Sequence, residues 1–118
     1  YLGYMWAEQG IRLDEAIALI KKALRLDPNN GAYVDSLGWA YYKKGWLEKA
    51  ILKLELATSL LPDDPVILDH LGDAYHDLKR WNDAVRAWRR SLKVDPKNEV
   101  MKNKIERIEK ELQRVGRE

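Results

Sequence analysis

The chain has no cysteine and no phenylalanine among its 118 residues. The absence of cysteine excludes disulfide bonds and thiolate metal sites, and it is compatible with any cellular compartment. Long apolar runs are missing too, since no stretch approaches the roughly 18 residues that a membrane-spanning helix needs. The net charge of +2 is too small to indicate nucleic-acid binding by itself. Because 46% of the residues are hydrophobic and 34% are charged, we expect a protein that is neither disordered nor embedded in a membrane.

Motifs of catalysis are also missing. No glycine-rich phosphate-binding loop is present, and no serine has a recognisable base partner. His76, with Asp73 and Asp77 on the same predicted helical face, is the best candidate for a metal ligand. We interpret it as an ordinary surface histidine, and we predict a non-catalytic protein with no metal and no cofactor.

What the chain does contain is an internal repeat. Residues 31–64 and residues 65–98 have the same length and align without a gap. The matching pairs are Leu37 with Leu71, Gly38 with Gly72, Ala40 with Ala74, Tyr41 with Tyr75, Ala50 with Ala84, and Pro62 with Pro96. A repeat of this length predicts stacked helical units that bury a continuous core only together.

Helical periodicity supports this interpretation. Residues 32–44 place Leu37, Ala40 and Tyr41 on one face, and Gly45 provides a stop. A second helix is predicted over about 47–60 and ends before Pro62.

The repeat resembles the tetratricopeptide-repeat (TPR) consensus, which has Leu-Gly, Tyr, Ala, an aromatic residue, Ala and Pro in order. An upstream segment resembles a partial copy, with one extra residue between Gly10 and Ala16, so we expect a longer first turn. The matching residues of this partial copy are Leu2, Gly3, Trp6, Gly10, Ala16, Ile20, Ala23 and Pro28.

The resemblance implies an all-α fold, a right-handed α-solenoid of antiparallel helix pairs. We predict one TPR domain over residues 1–118, with a partial first repeat, two complete repeats and a C-terminal capping helix. Their boundaries are 1–30, 31–64, 65–98 and 99–118. The chain begins with Tyr1 and part-way through a repeat, so we interpret it as a fragment of a longer protein. Openings such as VDSLGWAYY resemble bacterial TPR proteins, and the compartment, cytoplasmic or periplasmic, stays open.

Several positions are predicted to be structural. Gly38 and Gly72 lie inside helices, where glycine costs about 1 kcal/mol relative to alanine, so we expect close helix crossings at both. Trp88 is predicted to lie in the core. In the capping helix, Ile105 shares the register of Leu71 and is expected to dock on the third repeat.

In the TPR family, the first helix of each repeat lines a concave groove that holds partner segments. The equivalent positions here are Tyr4, Ala7 and Glu8; Asp35, Trp39, Tyr42 and Lys43; Asp69, Asp73, His76 and Asp77; and, on the cap, Asn103, Arg107 and Lys110. Tyr4, Trp39 and Tyr42 form an aromatic cluster that the repeat core does not need. We expect this cluster to anchor apolar side chains of a partner, with packing alone as the alternative.

Asp69, Asp73 and Asp77 form an acidic stripe at i, i+4 and i+8. Like charges at this spacing cost about 0.2–0.5 kcal/mol per pair, so a cation should lie nearby. That cation could belong to a partner, or it could be Arg107, Lys110 or Lys43 of this chain; we favour internal pairing slightly.

Some TPR proteins bind a terminal carboxylate through Lys, Asn and Arg in this groove. This chain has Asp35, Trp39, Asp69 and Asp73 at those positions, so that function is not expected. A basic run on the second helix of the third repeat is interpreted as a solvated face. It consists of Arg86, Arg89, Arg90 and Lys93.

The sequence therefore predicts an adaptor or scaffold module that binds a protein or peptide partner in its groove. The alternative is a self-assembling solenoid that forms homo-oligomers through its N-terminal edge or its C-terminal helix.

Overall fold

The structure, a computed structural model, describes residues 2–116, which form seven α-helices. The helices are α1 (Leu2–Gln9), α2 (Leu13–Leu26), α3 (Gly31–Lys43), α4 (Leu47–Leu60), α5 (Pro65–Asp77), α6 (Trp81–Val94) and α7 (Glu99–Gly116). The predicted capping helix is therefore observed up to Gly116. Residue 1 of the partial first repeat and residues 117–118 lie outside the described range.

Each helix that opens a repeat after the first starts behind an Asx residue. Asn30, Asp64 and Asn98 hold the same place in successive repeats, and each accepts a hydrogen bond from a backbone N–H two or three positions further on. The donor–acceptor distances are 3.1, 2.9 and 3.0 Å. Such side chains satisfy backbone groups that a helix N-terminus leaves without partners. Together with the preceding prolines, these caps fix where α3, α5 and α7 begin.

The described residues divide into two compact units, one ending at Pro62 and the other beginning at Asp63. In the first unit α1 pairs with α2 and α3 pairs with α4, and α3 also contacts α1 and α2. The core includes Ala16, Ile20, Ala50 and Leu54, none of which is exposed. At Gly38 a Cβ atom would lie 2.8 Å from Cγ of Leu54, which confirms the predicted close helix crossing.

In the second unit α5 pairs with α6, and α7 packs against α6. Trp88 is 2% exposed and lies directly over Gly72, where a Cβ atom would overlap its indole ring. The predictions of a core tryptophan at position 88 and of a close crossing at position 72 are both confirmed. Met101 and Ile105 are the buried residues of α7, as expected for the face that docks on the third repeat.

The prediction of a longer first turn is wrong. Three residues connect the two helices of every pair, residues 10–12, 44–46 and 78–80. The extra residue of the first repeat lies in α1 instead. This helix continues one residue further beyond Gly3 than α3 does beyond Gly38. The first turn also contains two residues with positive φ, Gly10 at 68° and Arg12 at 49°, whereas the other turns contain one each.

Within residues 2–116, no helix combines the length and the apolar character that a membrane crossing requires. The backbone of these residues is helical apart from short turns.

Candidate functional site

Two helices of the first unit carry the predicted groove residues. Gly3 and Ala7 are the buried residues of α1, and α1 contacts both α2 and α3. Tyr4 and Glu8 follow each of these residues by one position, so they lie on the neighbouring, exposed face of α1. Lys43 at the end of α3 lies near the end of α1, because a Cβ atom at Gly10 would be 3.8 Å from its Cδ. We call this region, formed by Tyr4, Glu8, Trp39, Tyr42 and Lys43, the α1/α3 surface.

The rings of Trp39 and Tyr42 are stacked, with centroids 4.4 Å apart and planes inclined by 6°. The Lys43 ammonium lies 5.1 Å from the Trp39 ring, a cation–π contact. Trp39 is only 9% exposed, however, whereas Tyr42 is half-buried and Lys43 is exposed. The expectation that Trp39 is an exposed anchor is therefore wrong. Trp39 is buried, and its ring stacks against the ring of Tyr42.

The other predicted residues of this unit differ in accessibility. Asp35 is 5% exposed and is therefore buried, contrary to its expected place on an open groove. Tyr4 is 38% exposed, and its hydroxyl group donates a hydrogen bond of 3.1 Å to Glu8. The side chains that a partner could reach on the α1/α3 surface are thus Tyr4, Glu8, Tyr42 and Lys43.

In the second unit the acidic stripe meets a lysine of α7. The Lys104 ammonium donates hydrogen bonds to Asp69 and Asp73 at 2.9 and 2.8 Å, and it lies 5.1 Å from the Trp88 ring. The expectation that a cation of the cap helix pairs with the acidic stripe is therefore confirmed. That cation is Lys104, however, and not Arg107 or Lys110. Arg107 and Lys110 form no hydrogen bond or ion pair within residues 2–116.

These contacts shift two pKa values. Burial raises the pKa of Asp73 above its ordinary value, and the repulsion by Asp69 adds to this effect, while the hydrogen bond from Lys104 opposes it. Burial by itself would lower the pKa of Lys104, but its hydrogen bonds to Asp73 and Asp69 outweigh burial and raise it. The two shifts therefore have different dominant causes, burial for Asp73 and hydrogen bonding for Lys104.

Lys104 was missed at the sequence level for an identifiable reason. In the register of the repeat it corresponds to His70, which is not among the expected groove positions. A lysine side chain is long enough to reach from this position to the carboxylates of the adjacent helix. The signal available in the sequence was that Lys104 directly follows Asn103, an expected groove position on the cap.

The remaining residues of the stripe lie at the end of α5. The Nδ1 atom of His76 lies 3.0 Å from Asp77, and the imidazole ring contacts Trp81 edge-on, with centroids 5.1 Å apart. Among residues 2–116 there is no group of three or more acidic, histidine or cysteine side chains arranged to hold a metal ion.

A cleft of about 510 Å³ lies between this end of α5 and α7. Its walls are His76 and Trp81 on one side and Ile108, Leu112 and Val115 on the other. Arg107 and Glu111 complete the lining. We call this cavity the α7 cleft.

Two of the four residues of the basic run on α6 form ion pairs. Arg86 forms an ion pair with Asp83, and Arg89 forms one with Glu109 on α7. The arrangement is typical of a solvated face that contributes little binding energy.

Comparisons with known proteins define the class. Residues 65–98 match one sequence model of the tetratricopeptide repeat, and residues 12–30 match another. The Sgt2 TPR domain of Aspergillus fumigatus superimposes with a TM-score of 0.87, covering 98% of this chain and 78% of that one at 25% identity. The fold is therefore an α-solenoid of the TPR class.

Two further similarities concern the family. A TPR repeat-containing protein of Pseudomonas aeruginosa is 42% identical over 72 residues, which are 61% of this chain and 12% of the relative. The first TPR domain of Spaghetti (RPAP3), solved with the HSP90 peptide SRMEEVD, has a TM-score of 0.86 and is 25% identical, covering 94% of this chain and 87% of that one. The chain therefore contains tetratricopeptide repeats, matched at residues 12–30 and 65–98. It spans no more than a quarter of the length of the curated relatives it matches.

Proposed function

We propose that this segment is a non-catalytic adaptor module that holds an extended or helical segment of a partner protein on the α1/α3 surface. The observation that carries this proposal is the position of Tyr42, stacked on the buried Trp39 and adjacent to the exposed Lys43. TPR domains generally mediate protein–protein interactions, which supports the assignment to this class.

The geometry of Tyr42 suits an anchor. Its ring is held at 4.4 Å from the Trp39 ring, so little conformational freedom is lost when a partner packs against the exposed part of Tyr42. Tyrosine provides a large contact area with a polar edge and is common at binding surfaces. Lys43 and Glu8 place one charge of each sign beside the aromatic rings. We therefore expect a partner segment with an apolar side chain against Tyr42 and an acidic side chain near Lys43.

The acidic stripe has a smaller role in this proposal than the sequence suggested. Two of its three carboxylates, Asp69 and Asp73, are bound to Lys104. A cationic group of a partner would have to compete with this lysine. Selection of a positively charged neighbour by these aspartates is therefore not part of the proposal.

A chaperone tail is also outside the proposal. The RPAP3 domain binds an HSP90 peptide, but this chain has Asp35, Trp39, Asp69 and Asp73 where the related receptors carry basic and amide side chains. Carboxylates at these positions repel an anionic terminus, and Asp35 and Trp39 are in addition buried.

Photo-crosslinking identifies the partner segment and tests the site together. A photoreactive phenylalanine analogue replaces Lys43 in one variant and Lys53, on α4, in a matched control. The proposal predicts that the variant at position 43 yields discrete crosslinks to a protein segment with an apolar and an acidic residue, and that the control does not. Equal crosslinking from both positions, with both variants folded, would remove the support for the α1/α3 surface.

Self-association is the second candidate function, and one observation favours it. Leu2 and Met5 on α1 are 49% and 52% exposed and lie on one side of this helix. Such residues could pack against a second copy. Sedimentation velocity over a hundredfold range of concentration decides between the two, since partner binding at the α1/α3 surface does not require a dimer.

A further inference from the structure

In the first unit, α2 and α4 share an outward side. Both helices have 14 residues, and both contact α3. Four positions of α2 and the equivalent four positions of α4 in the repeat are all exposed. The pairs are Ala18 with Leu52, Lys21 with Glu55, Lys22 with Leu56, and Arg25 with Ser59. Because these positions recur at one register and stay exposed in both helices, they form one outward surface of this unit, which we call the α2/α4 face.

Three cations of α2 lie on this face without acidic partners. Lys21, Lys22 and Arg25 form no ion pair with any residue from 2 to 116. The acidic residues of the first turn of α2 are engaged by other cations, Asp14 by Lys44 and Glu15 by Arg12. Like charges one turn apart destabilise a helix, and the helix dipole compensates only in the last turn, which contains Arg25 and neither lysine. The fold of this unit therefore does not account for the cation cluster.

The part of the face that α4 contributes is apolar. Leu52 is 68% exposed and Leu56 is 44% exposed, and they lie one helical turn apart. The repeat does not require leucine there, since α2 has alanine and lysine at the equivalent positions and α6 has arginine at both. The flanking charges of α4 balance one another, Glu48 and Glu55 against Lys49 and Lys53. The α2/α4 face thus combines a cationic half with an apolar half.

From this combination we infer that the α2/α4 face binds the surface of an anionic lipid bilayer. Lys21, Lys22 and Arg25 contact the lipid phosphates. Leu52 and Leu56 enter the boundary between headgroups and acyl chains, as leucines do on helices that lie on a membrane surface. This inference goes beyond the proposed function, because the α2/α4 face shares no residue with the α1/α3 surface.

The leucines favour a bilayer over a nucleic acid, which also presents phosphates. A nucleic-acid backbone would neutralise the cations and leave Leu52 and Leu56 in water. A bilayer has an apolar layer behind its charged headgroups, so the cations and the leucines are satisfied together. Lipid headgroups also move laterally, and they therefore adapt to cations that are spread along a helix.

Co-sedimentation with lipid vesicles tests the inference. The vesicles contain equal parts of phosphatidylcholine and phosphatidylglycerol, and vesicles of phosphatidylcholine alone are the neutral control. Lys22→Gln with Arg25→Gln should weaken binding to the anionic vesicles by about 25-fold, since each cation near the surface contributes about a factor of five. Lys97→Gln with Lys110→Gln removes the same charge from exposed positions of the second unit and should weaken binding by less than about twofold.

A single fluorescent label locates the contact. The chain has no cysteine, so Ser59→Cys carries an environment-sensitive fluorophore at an exposed position of the face. Gln113→Cys carries the same label at an exposed position of α7 as a control. Anionic vesicles should increase the emission of the label at position 59 and leave that at position 113 unchanged.

A leucine variant separates a bilayer from a bare phosphate contact. Leu52→Ser with Leu56→Ser should weaken binding to the anionic vesicles by about tenfold or more, because apolar surface no longer leaves water. Both leucines are exposed, so the variant should keep the helix content of the parent, which circular dichroism checks.

Three results would overturn the inference. The protein could remain unbound at millimolar anionic lipid, or the two charge variants could lose equal affinity. The leucine variant could also bind as tightly as the parent, which would identify phosphate contact alone, as in a nucleic acid, as the role of the cations. None of these results bears on the α1/α3 surface.

Discussion

The ammonium group of Lys104 on α7 lies 2.8 Å from the carboxylate of Asp73 on α5, and the same group reaches Asp69. One cation thus joins the C-terminal helix to the preceding helix pair. Because the three side chains are between 24% and 35% exposed, the contact is worth more than a fully solvated ion pair.

Replacing Lys104 by methionine should lower the free energy of unfolding at pH 7 by about 1–2 kcal/mol, because two half-buried carboxylates lose their hydrogen-bond donor. Urea unfolding measures the loss. Lys102→Met is the matched control: this lysine pairs only with Glu99 one turn away at 3.3 Å, so its removal should cost less than about 0.5 kcal/mol. Equal losses for the two variants would contradict the account.

The loss caused by Lys104→Met should also depend on pH. In the variant, Asp73 loses the hydrogen bond that opposes the rise of its pKa, so its folded-state pKa lies further above the unfolded value of about 3.9 than in the parent. The folded state then binds more protons than the unfolded state, and the variant gains stability as the pH falls. In the parent, the raised pKa of Lys104 means that its contribution is present below about pH 10.4 and lost above the folded value. The difference between parent and variant should therefore shrink from pH 7 to pH 4.

Gly72→Ala should destabilise the second unit by about 1–2 kcal/mol, since overpacking against Trp88 outweighs the helix propensity of alanine. Gly38→Ala should cost less, because its Cβ would approach Leu54 to 2.8 Å, whereas a Cβ at Gly72 would approach the Trp88 ring to 2.3 Å. Thermal unfolding of the two variants gives the comparison. A larger loss of stability for Gly38→Ala than for Gly72→Ala would contradict the packing described for the third repeat.

Trp88→Ala alone should cost about 3–5 kcal/mol, as expected for a large side chain removed from the core. In the Trp88→Ala background, Gly72→Ala should become neutral or stabilise by up to about 1 kcal/mol. A double-mutant cycle in urea measures this coupling. Additive effects of the two substitutions would show that the indole ring is not what excludes a side chain at position 72.

Asn98→Ala should destabilise α7 by about 1 kcal/mol, because the side chain caps its N-terminus. Lys97→Ala, one residue earlier and exposed, is the control and should have little effect. Circular dichroism during urea unfolding measures both. A similar effect of the two substitutions would mean that the cap hydrogen bond does not stabilise the helix.

The sequence predicted most of the fold because the repeat is encoded locally. The glycine at positions 38 and 72 shows where helices cross, and the spacing of the repeat gives the order of the helix pairs. The caps at Asn30, Asp64 and Asn98 follow the same spacing, although their role became clear only from the hydrogen bonds. The helix starts and the helix crossings are therefore defined by their own residues and by the spacing of the repeat.

The candidate site was less predictable because exposure and pairing depend on neighbouring helices. Nothing in the residues around Trp39 shows that its ring would be buried while Tyr42 stays half-exposed. Lys104 could not be distinguished from Arg107 and Lys110 by charge, since the outcome depends on which side chain reaches Asp69 and Asp73. The α7 cleft is lined by side chains of α5, α6 and α7 together, and the periodicity along a single helix does not show such a cavity.

The measurement that tests the central claim most directly is the affinity of the crosslinked partner segment for the parent and for Tyr42→Ala, by calorimetry. Leu52→Ala is the control, since Leu52 is 68% exposed on α4 and outside the α1/α3 surface. The account predicts that Tyr42→Ala weakens binding by about tenfold or more, as for an interface anchor, and that Leu52→Ala leaves it unchanged. Equal affinities for the parent and for a correctly folded Tyr42→Ala variant would contradict it.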